Sequence, residues 1–229
     1  MELVTSIHPA EAAGQLLTDA LLRLTGPVLL LVSGGSALQL LDFVTETTLN
    51  SRVTLSVLDE RFSTDPMINN FAQLEQTAFF AAAIARGVAI ISTKVTPLDS
   101  LVILRDRFDS ALRAWRTTHP KGVIIATMGI GPDGHTAGIF PGDYGVTWTG
   151  DAWIVGYSVP CTVNSNPNRV SVTDTFLTTQ VNEAIVYAVG PLKQALISQL
   201  QNGICDRTCL PMCVIRQMRH VTIVSSEPI

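Results

Sequence analysis

Charge is scarce in this chain of 229 residues: 15% of it is Asp, Glu, Lys or Arg, whereas 47% is hydrophobic. Such a balance argues against a solvated or disordered chain and for a compact, enzyme-like one. A formal net charge of -4 argues against a general nucleic-acid binder, so any anion site must be local, built from a few basic side chains and backbone N–H groups. Long apolar runs are also missing. Val28 to Val32 and Phe79 to Ala85 are the longest, far short of the ~18 residues that span a bilayer. The start, MELVTSIHPAEAAGQLL, carries no basic segment ahead of an apolar stretch, so no signal peptide and no membrane partner are expected, and a cytoplasmic location is the default. Cysteine is limited to Cys161, Cys205, Cys209 and Cys213. No CxxC knuckle occurs, and Pro211 interrupts the four-residue spacing of the last three, so reduced, partly buried thiols are expected rather than a metal site.

What the chain does have is a steady alternation of strand-like and helical segments, the pattern of an α/β fold: an open, mostly parallel sheet with helices on both faces. No linker divides it, and residues 1–229 are read as a single domain. A helix is predicted from Pro9 to the Gly26-Pro27 break, a strand over Val28 to Val32, a helix from Ala37 to Leu49 and a strand over Val53 to Leu58. A helical region from Asn70 to Arg86, a short strand Val88 to Ile91 and a helix from Pro97 to Thr118 follow. Strands are then expected at Gly122 to Met128, Trp153 to Val159, Arg169 to Thr173 and Ala184 to Val189, with a helix Pro191 to Leu200 and a last strand Val221 to Val224.

Four segments carry polar groups that a buried sheet would not otherwise need. The most informative is Gly131 to Pro141, GPDGHTAGIFP, which puts His135 in a glycine-rich turn directly after the apolar run GVIIATM. That is the carboxyl end of a central strand, where open α/β sheets hold ligands. Histidine titrates near neutral pH and can take a proton from water and return it to a leaving group, and Asp133, two residues earlier, is placed to bond the ring's other nitrogen and set its tautomer. Ser33-Gly34-Gly35-Ser36 joins a strand to a helix amino end, where glycines admit an anion and N–H groups are unpaired; it matches neither the phosphate-loop GK[ST] pattern nor the dinucleotide GxGxxG. Asp59-Glu60-Arg61 ends the Val53 strand, as either a solvated exit or an Asp and Arg holding sugar hydroxyls. Arg169 follows the asparagine-rich NSNPN, and Lys193 enters a helix just after Gly190-Pro191, where a basic residue opposes the helix dipole unless an anion is present.

Together these residues resemble the 6-phosphogluconolactonase family, relatives of glucosamine-6-phosphate deaminase/isomerase. The likeness runs in order through VSGGS, LDER with Asp65 and Asn70, MGIGPDGHTAGIFPG, RVSVT and VGPLK. The deaminase/isomerases read DGHIAFNEP, with a glutamate that works with the histidine; here Phe140 stands in its place, which favours the lactonase. Where the family usually reads SGGSTP this chain has Ser36-Ala37-Leu38. The resemblance implies hydrolysis of 6-phospho-D-glucono-1,5-lactone to 6-phosphogluconate by a monomer or small homo-oligomer, with no metal and no organic cofactor. Set against that reaction, the residues read as His135 the general base with Asp133 placed to orient it; Ser33, Gly34, Gly35, Ser36, Arg169 and Lys193 on the phosphate; and Asp59 and Arg61 on sugar hydroxyls or the opening ring. The alternatives left standing are an isomerase or deaminase on the same fold, and a sugar-phosphate sensor without catalysis.

Overall fold

In a computed structural model, residues 1–203 and 205–226 are described. In chain order the elements are β1 (Glu2–Ser6), α1 (Pro9–Arg23), β2 (Val28–Val32), a 3₁₀ helix (Gly35–Phe43), β3 (Val53–Val57), β4 (Asp59–Arg61), α2 (Asn70–Glu75), α3 (Ala78–Ala85), β5 (Ala89–Ile90) and α4 (Leu101–Thr118). The second half adds β6 (Val123–Gly129), β7 (Ile154–Ser158), β8 (Asn168–Val172), α5 (Asp174–Thr179), β9 (Glu183–Tyr187), α6 (Pro191–Gln201), a 3₁₀ turn (Pro211–Gln217) and β10 (His220–Ser226).

Seven strands form one sheet in the order β1-β10-β9-β6-β2-β3-β5, every pair parallel. β2 shows why a continuous apolar run reads as a central strand: all five residues are buried, and they alternate between the sheet's two faces. Val28, Leu30 and Val32 pack with α1, the first 3₁₀ helix, α2 and α3, whereas Leu29 and Leu31 pack with α4, α5 and α6. From β2 the chain moves outward to β3 and β5, then returns to β6 and moves the other way to β9 and β10. The β2/β6 junction is thus the topological switch point, beyond whose carboxyl ends such sheets bind ligands.

Several local expectations need correction. The segment Ala37 to Leu49, expected as an α-helix, is a 3₁₀ helix to Phe43 followed by an extended Val44 and a short 3₁₀ turn. Tertiary contact overrides the local pattern there: the Thr45 N–H donates to Thr18 Oγ1 on α1 at 3.0 Å. The single helical region 70–86 is two helices, because Thr77 is extended and its hydroxyl caps the second by accepting from the Phe80 N–H. α4 begins at Leu101 rather than Pro97, since Ser100 caps it and the Asp99 carboxylate closes the preceding turn onto the Thr96 N–H. β1 has no counterpart among the elements expected from the sequence.

The charged triplet Asp59 to Arg61 is a strand rather than a loop. With β8 and β7 it makes a second, antiparallel sheet in the order β4-β8-β7, in which Arg61 and Arg169 are register partners. The expectation of reduced thiols fails for two of the four cysteines. Cys205 and Cys213 are disulfide-bonded with Cα atoms 5.6 Å apart, while Cys161 and Cys209 are free and exposed. A turn in which the Leu210 N–H donates to the Asp206 carbonyl at 2.7 Å brings residues eight apart together, which the i, i+4 spacing did not reveal. Among the described residues, no helix is long and apolar enough to cross a membrane.

Candidate active site

Four adjacent parallel strands, β9, β6, β2 and β3, end on one edge of the main sheet, and each is followed by one of the polar segments. They surround a cleft of about 250 Å³ lined by Ser33, Gly34, Gly35, Ser36, Asp59, Arg61, His135, Arg169 and Lys193. Of the ten residues named from the sequence, only Asp133 is absent from the lining; it lies behind the histidine.

His135 owes its place to a tight turn. The Gly131 N–H donates to the His135 carbonyl at 2.8 Å and the Gly134 N–H to the Gly131 carbonyl at 3.0 Å. A Cβ at Gly131 would come within 2.1 Å of the imidazole, so only glycine lets the ring lie there. The Asp133 Oδ1 is 2.5 Å from His135 Nδ1 and also accepts from the His135 backbone N–H at 3.2 Å. Burial works against ionising Asp133, but the hydrogen bond and charge of His135 outweigh it and hold the carboxyl below its ordinary value. An ionised carboxylate accepts from Nδ1–H and leaves the lone pair on Nε2.

The second sheet fixes the rest of the turn. The Gly138 N–H donates to Ser171 Oγ on β8 at 3.0 Å, the Tyr157 hydroxyl on β7 donates to the Gly138 carbonyl at 2.6 Å, and Thr136 Oγ1 donates to the Gly129 carbonyl at 2.8 Å. Ala137 adopts φ +48°, uncommon for a residue with a Cβ, and lines the cleft.

Phe140, 2% exposed, stacks on the imidazole with ring centroids 4.6 Å apart, and the Arg169 guanidinium lies 5.0 Å from the same ring. One aromatic side chain therefore spaces the candidate base from a candidate anion anchor. Arg169 is itself steadied by Asn164, whose Oδ1 accepts from it at 2.9 Å.

Electrostatically the cleft is a buried acid among cations. Burial pushes the Asp59 carboxyl up, against the pull of Arg169, Arg61 and His135. Burial likewise lowers Arg169, opposed by Asp59, and lowers Lys193. Glu60 faces the other way from its two neighbours: its carboxylate accepts from the Asn70 and Phe71 N–H groups and from Thr93 Oγ1, and it anchors α2.

Among the described residues, seven buried side-chain polar atoms lack a partner, and three of them, Ser33 Oγ, Arg61 Nε and Asn70 Oδ1, belong to cleft residues. Orphaned buried polar atoms are costly unless a ligand or water meets them, and three of them in one cleft make it the candidate polar binding site. Asn164 and the stacking of Phe140 on the imidazole are site features that the sequence does not single out, and Asn70 enters there only as part of the family likeness. The signal for Asn70 was faint: an asparagine eleven residues after Asp59, bonding back to its carbonyl at 2.9 Å.

The fold is shared with known proteins. The family model described as "Glucosamine-6-phosphate isomerases/6-phosphogluconolactonase" matches residues 7–224. No curated protein sequence matches the chain. Among solved structures, 6-phosphogluconolactonase from Trypanosoma brucei superposes with a TM-score of 0.76 at 17% identity, covering 98% of this chain and 95% of that one. The 6-phosphogluconolactonase from Thermotoga maritima gives 0.69 at 19% identity over 98% of both chains. That from Leishmania guyanensis gives 0.70 at 18% identity, over 98% and 96%. At such identities the likeness is one of fold.

Proposed function

This chain belongs to the family of glucosamine-6-phosphate isomerases and 6-phosphogluconolactonases, and on that premise we propose that it hydrolyses 6-phospho-D-glucono-1,5-lactone to 6-phosphogluconate. The observation that carries the choice between the branches is Phe140. Where an isomerase needs a carboxylate beside the histidine, this chain stacks a buried phenyl ring on the imidazole. The neighbours in fold named above are lactonases, which supports the same choice.

In this reading His135 Nε2 takes a proton from a water molecule as its oxygen attacks the lactone carbonyl carbon. The imidazolium, balanced by Asp133, then gives that proton to the ring oxygen as its bond to the carbonyl carbon breaks. Lys193, Arg169 and the amides of Gly34 to Ser36 hold the phosphate; the first donors of a helical turn have no acceptor within it. Asp59 and the unpartnered Arg61 Nε meet sugar hydroxyls or the opening ring. The parts are drawn from residue 33 to residue 193, in keeping with a single domain.

The direct test is acid release in a pH-stat on freshly made 6-phosphogluconolactone, run beside an ammonia assay with glucosamine 6-phosphate. Lactone opening well above the spontaneous rate with no ammonia supports the proposal. Ammonia release without lactone opening transfers the chain to the other branch, and ligand-dependent thermal stabilisation without either reaction makes it a sensor.

A further inference from the structure

The C-terminal cysteines take no part in the chemistry above, yet the segment they enclose lies directly against the histidine turn. The Met212 N–H donates to the Gly134 carbonyl at 3.0 Å, and the Gly142 N–H donates to the Thr208 carbonyl at 3.0 Å, so the loop grips the turn on both sides of His135. Gly134 has φ +79°, and a Cβ there would come within 2.6 Å of Leu210 Cδ2. The leucine is thus seated on the residue that links Asp133 to His135. Residues 136 to 138 are anchored elsewhere, by the Gly129 carbonyl and the second sheet. Gly134 is held by the turn's own bond to the Gly131 carbonyl and, from outside the turn, by this loop.

Two features hold the loop in shape. The Cys205–Cys213 disulfide closes it on the inner side, where Cys213 is buried. On the outer side Arg207 pairs with Asp174 of α5 and lies over the Trp148 ring at 5.4 Å. We propose that Leu210 is a positioning residue for the His135 turn, held in place by the Cys205–Cys213 bond, and that turnover therefore follows the thiol–disulfide state of these two cysteines. The proposal rests on His135 being the base of the hydrolysis described above.

The redox step balances with a dithiol as reductant. Two electrons and two protons pass from the dithiol to the disulfide, the Sγ–Sγ bond breaks, Cys205 and Cys213 become thiols, and the dithiol closes into a cyclic disulfide. The Arg207–Asp174 pair survives reduction, so the turn loosens rather than collapses. A slightly misplaced base costs rate more than binding.

The test compares kcat and KM of the whole oxidised protein with those of the same protein after dithiothreitol, with thiols counted at each stage. The expected result is a fall in kcat of about five- to tenfold on reduction with KM changed less than about twofold, reversed by reoxidation. Cys205→Ser/Cys213→Ser should match the reduced protein and ignore the dithiol, Cys209→Ser should behave as wild type, and Leu210→Ala should lower kcat without a further drop on reduction. Unchanged kcat on full reduction of the wild type overturns the proposal, and so does a Leu210→Ala loss that adds to that of reduction. An oxidised protein that opens no lactone overturns the functional reading instead.

Discussion

His135 touches a carboxylate and an aromatic ring, and the two contacts do different things. The Asp133 carboxylate lies against Nδ1 and, when ionised, favours the proton on that nitrogen, whereas Phe140 stacks on the ring and, through its contact with Arg169, ties its position to the candidate anion anchor. Phe140→Leu should therefore lower kcat and raise KM together, costing about three- to tenfold in kcat/KM. In a His135→Ala background the same change should leave kcat unaltered, because there is no imidazole to align; steady-state kinetics on the four proteins of the cycle measure this. Lys193→Ala and Arg169→Ala should raise KM by about ten- to a hundredfold and leave kcat within a few-fold, as expected for groups that hold a phosphate equally before and during the reaction. The histidine was legible in the sequence because glycines and a proline break an apolar strand right beside it. The roles of Asn70 and Asn164 were not, because they depend on partners brought in by the fold: Asp59, eleven residues away, and an Arg169 pinned into the cleft.

At the level of elements, the main sheet was largely readable because buried parallel strands are short continuous apolar runs. The second sheet was not. β4 is three charged residues, and only its pairing with β8 makes it a strand. Glu60 on that strand explains why charge is tolerated there: burial pushes its carboxyl up to about 8, against three N–H and hydroxyl donors from Asn70, Phe71 and Thr93. An acid whose folded value lies above its ordinary 4.5 favours the folded state while protonated. Its contribution is complete below the ordinary value and is lost as pH rises through about 8. Thermal unfolding followed from about pH 5 to about pH 9 should show Tm declining by several degrees across this window, and Glu60→Gln should flatten the decline. An equally steep decline in Glu60→Gln assigns the effect to another group. The cysteine loop illustrates the opposite failure of reading: spacing suggested separate thiols, and a turn between residues 205 and 213 joined two of them.

For the whole molecule, the strand order decides where chemistry can occur. Four consecutive carboxyl ends at the β2/β6 switch point gather groups that are up to 160 positions apart in sequence, from Ser33 to Lys193. A sheet reading without strand order gives the segments but not their convergence, and a motif gives the histidine but not the cleft. Lactone hydrolysis in this cleft requires that histidine to act as a base. Its most direct measurement is the turnover of 6-phosphogluconolactone by His135→Ala against wild type, at mildly acidic pH where spontaneous opening is slow. Loss of the base should lower kcat by about a hundred- to ten-thousandfold with KM nearly unchanged. Equal turnover by the two proteins would contradict it.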